Sequence, residues 1–145
     1  MEILQLTPAE RDTLVDLRSN LWPDSADAHR AELDYLFTDP DYCAFMAWDS
    51  ARPVGFAEAL IRAYVPGGAT PDTAFLEGLW VAPDCRRQGI ATALLRAAEG
   101  WAASHGCGEI GSDALLDNTI SHAWHHRMGF AEVERTISYI RRLPS

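Results

Sequence analysis

The sequence predicts a mixed α/β fold (α+β in the order of its elements), with one central mixed sheet and helices on both faces. Three observations predict it. A strand of buried character, Thr73 to Ala82, runs through the turn Pro83-Asp-Cys85 and Arg86-Arg-Gln-Gly89 straight into a long helix. That helix carries Ile90, Leu94, Ala98, Trp101 and His105 at helical spacing and stops at Gly106. Around this pair the patterns read in the order β-α-α-β-β-β-α-β-α-β.

The chain opens with a short strand, Glu2 to Leu6, and then a helix whose start is marked three times over. Thr7 can cap it, Pro8 suits the first helical position, and Glu10 completes a capping box. Leu14, Leu17, Arg18 and Leu21 mark one face, and Trp22-Pro23 ends it. A second helix runs from about Asp27 to Phe37, with Leu33, Leu36 and Phe37 as apolar contacts, until Thr38-Asp-Pro-Asp41 breaks it. Tyr42 to Trp48 reads as a strand, Asp49 to Pro53 as a hairpin turn and Val54 to Val65 as a longer strand. Pro66 to Asp72 connects to the central strand. After the long helix come a strand at Cys107 to Ser112, a loop to Asp117, a helix from Asn118 to Met128, and terminal strand material from Phe130 to about Arg142.

With 145 residues, 48% of them apolar, the chain closes one core, so a single domain spanning 1–145 is expected. The net charge of −9 argues against nucleic acid and anionic membrane as partners, and suits a cationic ligand or simple solubility. All twelve basic residues are arginine. Cys43, Cys85 and Cys107 are odd in number and lack metal-ligand spacing, the start carries no basic leader, and no apolar run reaches ~18 residues. A cytoplasmic protein without a metal site is the expectation.

The turn after the central strand suits an anion. Gly89 admits close backbone approach, and the helix beginning there presents unpaired N–H groups and the positive end of its dipole. Glu77 is the most informative carboxylate. By strand alternation it shares a row with Phe75, Leu79 and Val81, where an unpaired charge is expensive, so a cation or hydrogen-bond donor must meet it. An internal arginine is one such partner and a ligand ammonium another.

The strand, the Arg86-x-x-Gly89-x-Ala91 turn and the helix after it resemble the acetyl-CoA signature of the GNAT N-acetyltransferase superfamily, with Asn118 opening a helix that ends in Met-Gly129-Phe130. A narrower resemblance, to bacterial aminoglycoside 6'-N-acetyltransferases, is carried by Leu21-Trp-Pro23, Phe75-Leu-Glu-Gly78 with Val81 and Pro83, Ser112-Asp113, Asn118-Thr-Ile-Ser121 and Gly129 to Arg135. It implies a GNAT-type fold that binds acetyl-CoA as cosubstrate, an aminoglycoside amine as acceptor, and a homodimer. It implies that Arg86, Arg87, Gln88, Gly89, Ile90, Ala91 and Thr92 hold the pyrophosphate through their backbone. Leu79, Trp80 and Val81 then pair with pantetheine like an added strand, with the Val81 N–H stabilising the oxyanion. Asn118 matches a pantetheine contact; Trp22, Tyr64, Glu77, Asp113 and Glu134 match acceptor-contacting positions, and Glu77 is a candidate to take the amine proton.

Two positions depart from the pattern. Ser25 stands where relatives can carry histidine, and His125 stands where many superfamily members place the tyrosine that protonates the leaving thiolate. Helical spacing puts Asn118, Ser121 and His125 on one stripe opposite Ile120, Ala123 and Trp124, so His125 can reach the same ligand as Asn118, as proton donor or as a plain contact. His122 and His126 lack a further ligand beside them and read as solvated. Two other readings share the sequence: acetyl transfer to a different amine (polyamine, amino sugar or protein amine), and a non-catalytic CoA-binding domain.

Overall fold

The computed structural model describes all 145 residues, in two compact units, Met1–Asp113 and Ala114–Ser145. The first holds β1 (Glu2–Gln5), α1 (Arg11–Arg18), α2 (Ala26–Leu36), β2 (Tyr42–Asp49), β3 (Arg52–Arg62), β4 (Thr73–Val81), α3 (Ile90–Ser104) and β5 (Ile110–Ser112). The second holds α4 (Thr119–Arg127).

The sheet is mixed. Its strands lie in the order β1-β2-β3-β4-β5, with the first four antiparallel and β5 parallel to β4. On one face Leu14 and Val15 of α1 and Leu33 and Leu36 of α2 pack onto Tyr42, Ala44, Met46 and Phe56. The other face takes α3: a Cβ on Gly55 would sit 3.3 Å from Leu94 and 3.5 Å from Ile90. Leu14, Leu33, Met46, Phe56 and Leu94 are fully buried, each contributing about 1.5–3 kcal/mol of transfer free energy.

The capping box forms as the residues demand: the Glu10 carboxylate accepts the Thr7 N–H at 2.8 Å and the Thr7 hydroxyl accepts the Ala9 N–H at 3.3 Å. It caps a 3-10 turn, Pro8–Glu10, that leads into α1. Ser25, which stands where relatives can carry histidine, caps α2 by accepting the Ala28 N–H at 3.1 Å.

Several expectations need correction. Leu21 is exposed beyond the end of α1, and His105 is exposed as the C-cap of α3 rather than part of its buried stripe. The strand expected to reach Val65 ends at Arg62, and the one expected from Cys107 begins at Ile110. No strand forms between Phe130 and Arg142. The alternating apolar pattern there is real, but a strand exists only through ladder bonds to a neighbour, and propensity does not supply one. Ile120, expected on an apolar stripe, is 83% exposed.

Candidate active site

Alternation along β4 is broken at the residue that matters most. Glu58 pairs with Gly78 and Ala59 with Leu76, which leaves Glu77 as the extra residue of a bulge. Beyond it the faces exchange. Gly78 and Trp80 lie opposite Glu58 and Phe56 on the α1/α2 side, while Leu79 and Val81 lie opposite Ala57 and Gly55 on the α3 side. Glu77 therefore shares its face with Phe75 but not with Leu79 and Val81, contrary to simple alternation.

The bulge turns Glu77 into a cleft of about 410 Å³ between the sheet and α1/α2. Carboxylates dominate its lining: Asp24, Glu32, Glu58, Glu77 and Asp113, against the guanidiniums of Arg18 and Arg62. At its floor Arg18 and Glu58 are buried, with side-chain exposures of 3% and 1%. Arg18 donates from Nε and Nη2 to the two Glu58 oxygens at 2.8 and 2.6 Å, and the Tyr42 hydroxyl donates to Glu58 Oε1 at 2.5 Å. Burial opposes the Arg18 charge, but the hydrogen bonds and charge of Glu58 outweigh it and hold the guanidinium proton more firmly than usual. Burial, then the adjoining Glu58 charge, pushes the Tyr42 hydroxyl well above its ordinary value. His29, also buried, lies 3.4 Å from Arg18 Nη1 and 3.2 Å from the Trp22 carbonyl.

Trp22 forms a wall, edge-on to Phe56 at 6.0 Å between ring centroids and with the Arg18 guanidinium 5.0 Å from its ring. At the cleft's mouth Arg62 grips Glu77 with both prongs, Nε to Oε1 at 2.9 Å and Nη2 to Oε2 at 2.7 Å. Burial pushes the Glu77 carboxyl up, and the Arg62 hydrogen bond and charge pull it back only in part. The internal arginine partner thus exists. Asp113 lines the same cleft and is exposed, whereas Tyr64 is 75% exposed, outside β3, and does not line it.

The edge of β4 beyond the bulge is open. β5 pairs only with Ala74, Phe75 and Leu76, so on that side Leu79, Trp80 and Val81 have no strand beside them. The Val81 carbonyl accepts from Arg86 Nε at 3.0 Å, which ties the following turn to the strand end. Arg52 grips Asp84 in that turn with bonds of 2.8 and 2.9 Å, and its hydrogen bond and charge hold the Asp84 carboxyl down at about 2. Arg87 and Gly89 both adopt left-handed backbone, φ 62° and 80°. Alternation of this kind directs successive N–H groups into one concavity. The first α-helical bond runs from the Ala93 N–H to the Gly89 carbonyl at 3.0 Å, so the Ile90 and Ala91 N–H groups have no helical acceptor. Gln88 is exposed, Ala91 and Thr92 are half-buried, and the space around Gly89 is open. This turn fits a pyrophosphate, and the open strand edge leading from it fits an extended amide chain.

Within the second unit, Asn118 caps α4 by accepting the Ser121 N–H at 3.1 Å. His125 is half-buried, with Nδ1 at 2.7 Å from the Ser121 carbonyl and its ring edge-on to Trp124 and Phe130. Glu134 is exposed. No three His, Cys, Asp or Glu side chains converge as a metal site, and no helix is long and apolar enough to cross a membrane.

The sequence alone assigns no site role to Arg18, Tyr42, Glu58, Arg62 or Gly78. Glu58 carried a usable signal, since a carboxylate inside Phe56-Ala-Glu-Ala-Leu60 invites the argument made for Glu77. Gly78 did not. A Cβ there would lie 2.5 Å from the Trp22 ring, a clearance that only the folded structure reveals.

The fold has close counterparts. The acetyltransferase (GNAT) family matches residues 8–130. An aminoglycoside N(6')-acetyltransferase type 1 of Acinetobacter baumannii is 40% identical over 145 residues, covering 99% of each chain. The apo crystal structure of an aminoglycoside 6'-N-acetyltransferase from Acinetobacter haemolyticus superposes with a TM-score of 0.92 at 38% identity, over 99% of this chain and 100% of that one. AAC(6')-Iy in complex with the bisubstrate analog CoA-S-monomethyl-acetylneamine gives 0.93 at 36% identity over 98% of both. A mixed sheet with an open β4 edge, a glycine-led helix at its end and this full-length similarity place the chain in the GNAT acetyltransferase family, among the aminoglycoside 6'-N-acetyltransferases.

Proposed function

We propose that this chain, acting as one N-acetyltransferase domain over 1–145, moves the acetyl group of acetyl-CoA onto the 6'-amine of aminoglycoside antibiotics, and so confers resistance to them. The observation that carries this reading is the adjacency of an acid-lined cleft and an open strand edge on the same strand, β4. A cationic amino sugar in the cleft faces a thioester laid along the edge.

In this reading the backbone of Arg86, Arg87, Gln88, Gly89, Ile90, Ala91 and Thr92 holds the pyrophosphate, and Leu79, Trp80 and Val81 pair with pantetheine. Asn118 and His125 contact the same arm. Trp22 walls the sugar and Tyr64, outside the cleft itself, meets only a part of the acceptor that projects from it, while Glu77, Asp113 and Glu134 take its ammonium groups by charge-assisted hydrogen bonds. The free amine attacks the thioester carbon directly, and the developing oxyanion is met by the Val81 N–H. Collapse breaks the carbon–sulfur bond and releases CoA as thiolate. The proton lost by the nitrogen passes to Glu77, directly or through one water. No acyl-enzyme forms.

We further read the enzyme as a cytoplasmic homodimer. All three cysteines are free. Val133, Ile137, Tyr139, Ile140 and Leu143 are 61% to 95% exposed, more apolar surface than one short terminal segment leaves in water without a partner. Light scattering on the purified protein measures that state.

The function is tested with a panel of aminoglycosides, polyamines, amino sugars and peptide amines, by thiol release and mass spectrometry of the product. Mass gain at the 6'-amine supports the proposal. Turnover restricted to another amine class overturns the acceptor, and acetyl-CoA binding without turnover leaves a CoA-binding domain.

A further inference from the structure

We propose that Arg62 is a positioning residue for acceptor chemistry: it clamps the Glu77 carboxylate in one orientation and supplies the positive charge that lets this half-buried group stay ionised. The inference rests on the reading of Glu77 as an acceptor-binding carboxylate and proton acceptor.

The geometry is specific. Glu77 sits at the bulge, where backbone pairing to β3 is interrupted, so its side chain needs another restraint. Arg62 provides a planar fork, with bonds of 2.9 and 2.7 Å to the two oxygens. The fork is itself held, because the Arg62 Cζ lies 3.9 Å from the centroid of the Phe75 ring, two residues before Glu77 on the same face. A fork uses one lone-pair direction on each oxygen and leaves the others free. An incoming ammonium therefore meets a carboxylate already aimed, with no need to displace the arginine.

The surroundings say why a cation is required there. From β3, Glu58 faces the cleft, and from the end of β5, Asp113; both push the Glu77 carboxyl upward in addition to burial. From the α1/α2 side come Asp24, Glu32, His29 and Arg18, and from β2, Tyr42. Arg18 is already committed to Glu58 and Glu32. Arg62 is thus the guanidinium that directly offsets the negative field at Glu77. Without it, burial and the neighbouring acids act unopposed, and Glu77 holds its proton to higher pH.

Arg62→Met removes the charge and the fork, and Arg62→Lys keeps the charge while losing the fork. Both are compared with wild type after melting curves establish folding. The first readout is a carbon NMR titration of carboxyl-labelled glutamates in the ligand-free protein, with Glu77→Gln identifying the signal. Glu77 is expected to titrate at higher pH in Arg62→Met and in between in Arg62→Lys. The second is kcat/KM for the acceptor against pH: the acidic limb should move to higher pH in Arg62→Met, in step with the Glu77 signal, and by less in Arg62→Lys. A Glu77 signal unmoved in Arg62→Met overturns the clamp whatever the enzyme acetylates. A moved signal with an unmoved acidic limb supports the clamp and overturns the assignment of Glu77 to the acceptor.

Discussion

Gly78 and Trp22 are matched by a clearance: a Cβ on Gly78 would lie 2.5 Å from two carbons of the Trp22 indole and 3.1 Å from Leu21. Gly78 stands opposite Glu58 in the sheet, so the ring closes over the strand at the cleft floor because no side chain rises to hold it off. Trp22 cannot simply step aside, since Phe56 and Arg18 pack against it. Gly78→Ala should cost about 1–3 kcal/mol of stability by overpacking. Its functional effect should be one-sided: kcat/KM for the acceptor falls while the acetyl-CoA KM stays near wild type. Equal losses for both substrates would mean that Trp22 does not wall the acceptor.

The buried Arg18–Glu58 pair makes a different prediction, on stability. Removing one partner strands a charge in a site that leaves only 3% and 1% of the two side chains exposed. Arg18→Met or Glu58→Gln should each destabilise by ~3–5 kcal/mol. The double variant should be less damaging than the sum of the two, because the second change removes the stranded charge. Urea melts of the four proteins give the coupling directly, and strict additivity would show that the two residues act separately.

Much of the first unit was legible in the sequence, for reasons that particular residues make plain. Thr7, Pro8 and Glu10 mark a helix start by local hydrogen bonding, and Ile90, Leu94, Ala98 and Trp101 mark a buried stripe by period alone. Both signals depend only on near neighbours in the chain. Apart from helix ends such as Leu21 and His105, the misreadings depend on distant partners. Val133 to Ile140 has the composition of a strand, yet the ladder that would make it one is not written in those residues. Glu77 reads as a carboxylate that needs a partner, and it has one; its face departs from simple alternation because of a bulge that is visible only when β3 is laid beside β4. The Arg18, Tyr42 and Glu58 cluster joins α1, β2 and β3, and no spacing rule connects those positions.

Alkaline pH should weaken the fold through two adjacent buried groups. Cys43 is 2% exposed, and burial pushes its thiol from 9.0 up to about 12; Tyr42, beside it, is pushed up as well. A raised value means that the folded state favours the protonated form. The stability contributed is present below the ordinary value and is lost as pH rises through the folded one. For Cys43 that window runs from 9.0 to about 12, with a limiting slope of ~1.4 kcal/mol per pH unit for each such group. Chemical melts across this range should show a falling free energy, flattened by Cys43→Ala and by Tyr42→Phe. A wild-type slope retained in both variants would place the alkaline sensitivity elsewhere.

The last prediction separates two things that Gly89 does. Its φ of 80° lies in the left-handed region, and a Cβ there would meet nothing within 4 Å. Any cost of Gly89→Ala to the ligand-free protein is therefore conformational, ~1–2 kcal/mol, and not steric. A small apolar methyl in open space leaves the neighbouring N–H groups able to reach a phosphate, so the alanine variant should melt lower but keep most of its gain on adding acetyl-CoA. At a hundredfold excess over Kd that gain is ~2.7 kcal/mol. Gly89→Asp pays the same conformational cost and adds a carboxylate where the pyrophosphate charge would lie, at the positive end of α3. It should lose the acetyl-CoA gain almost entirely. Melting curves with and without ligand, for wild type and both variants, make the comparison. An aspartate variant stabilised by acetyl-CoA as strongly as wild type would move the phosphate site away from this turn.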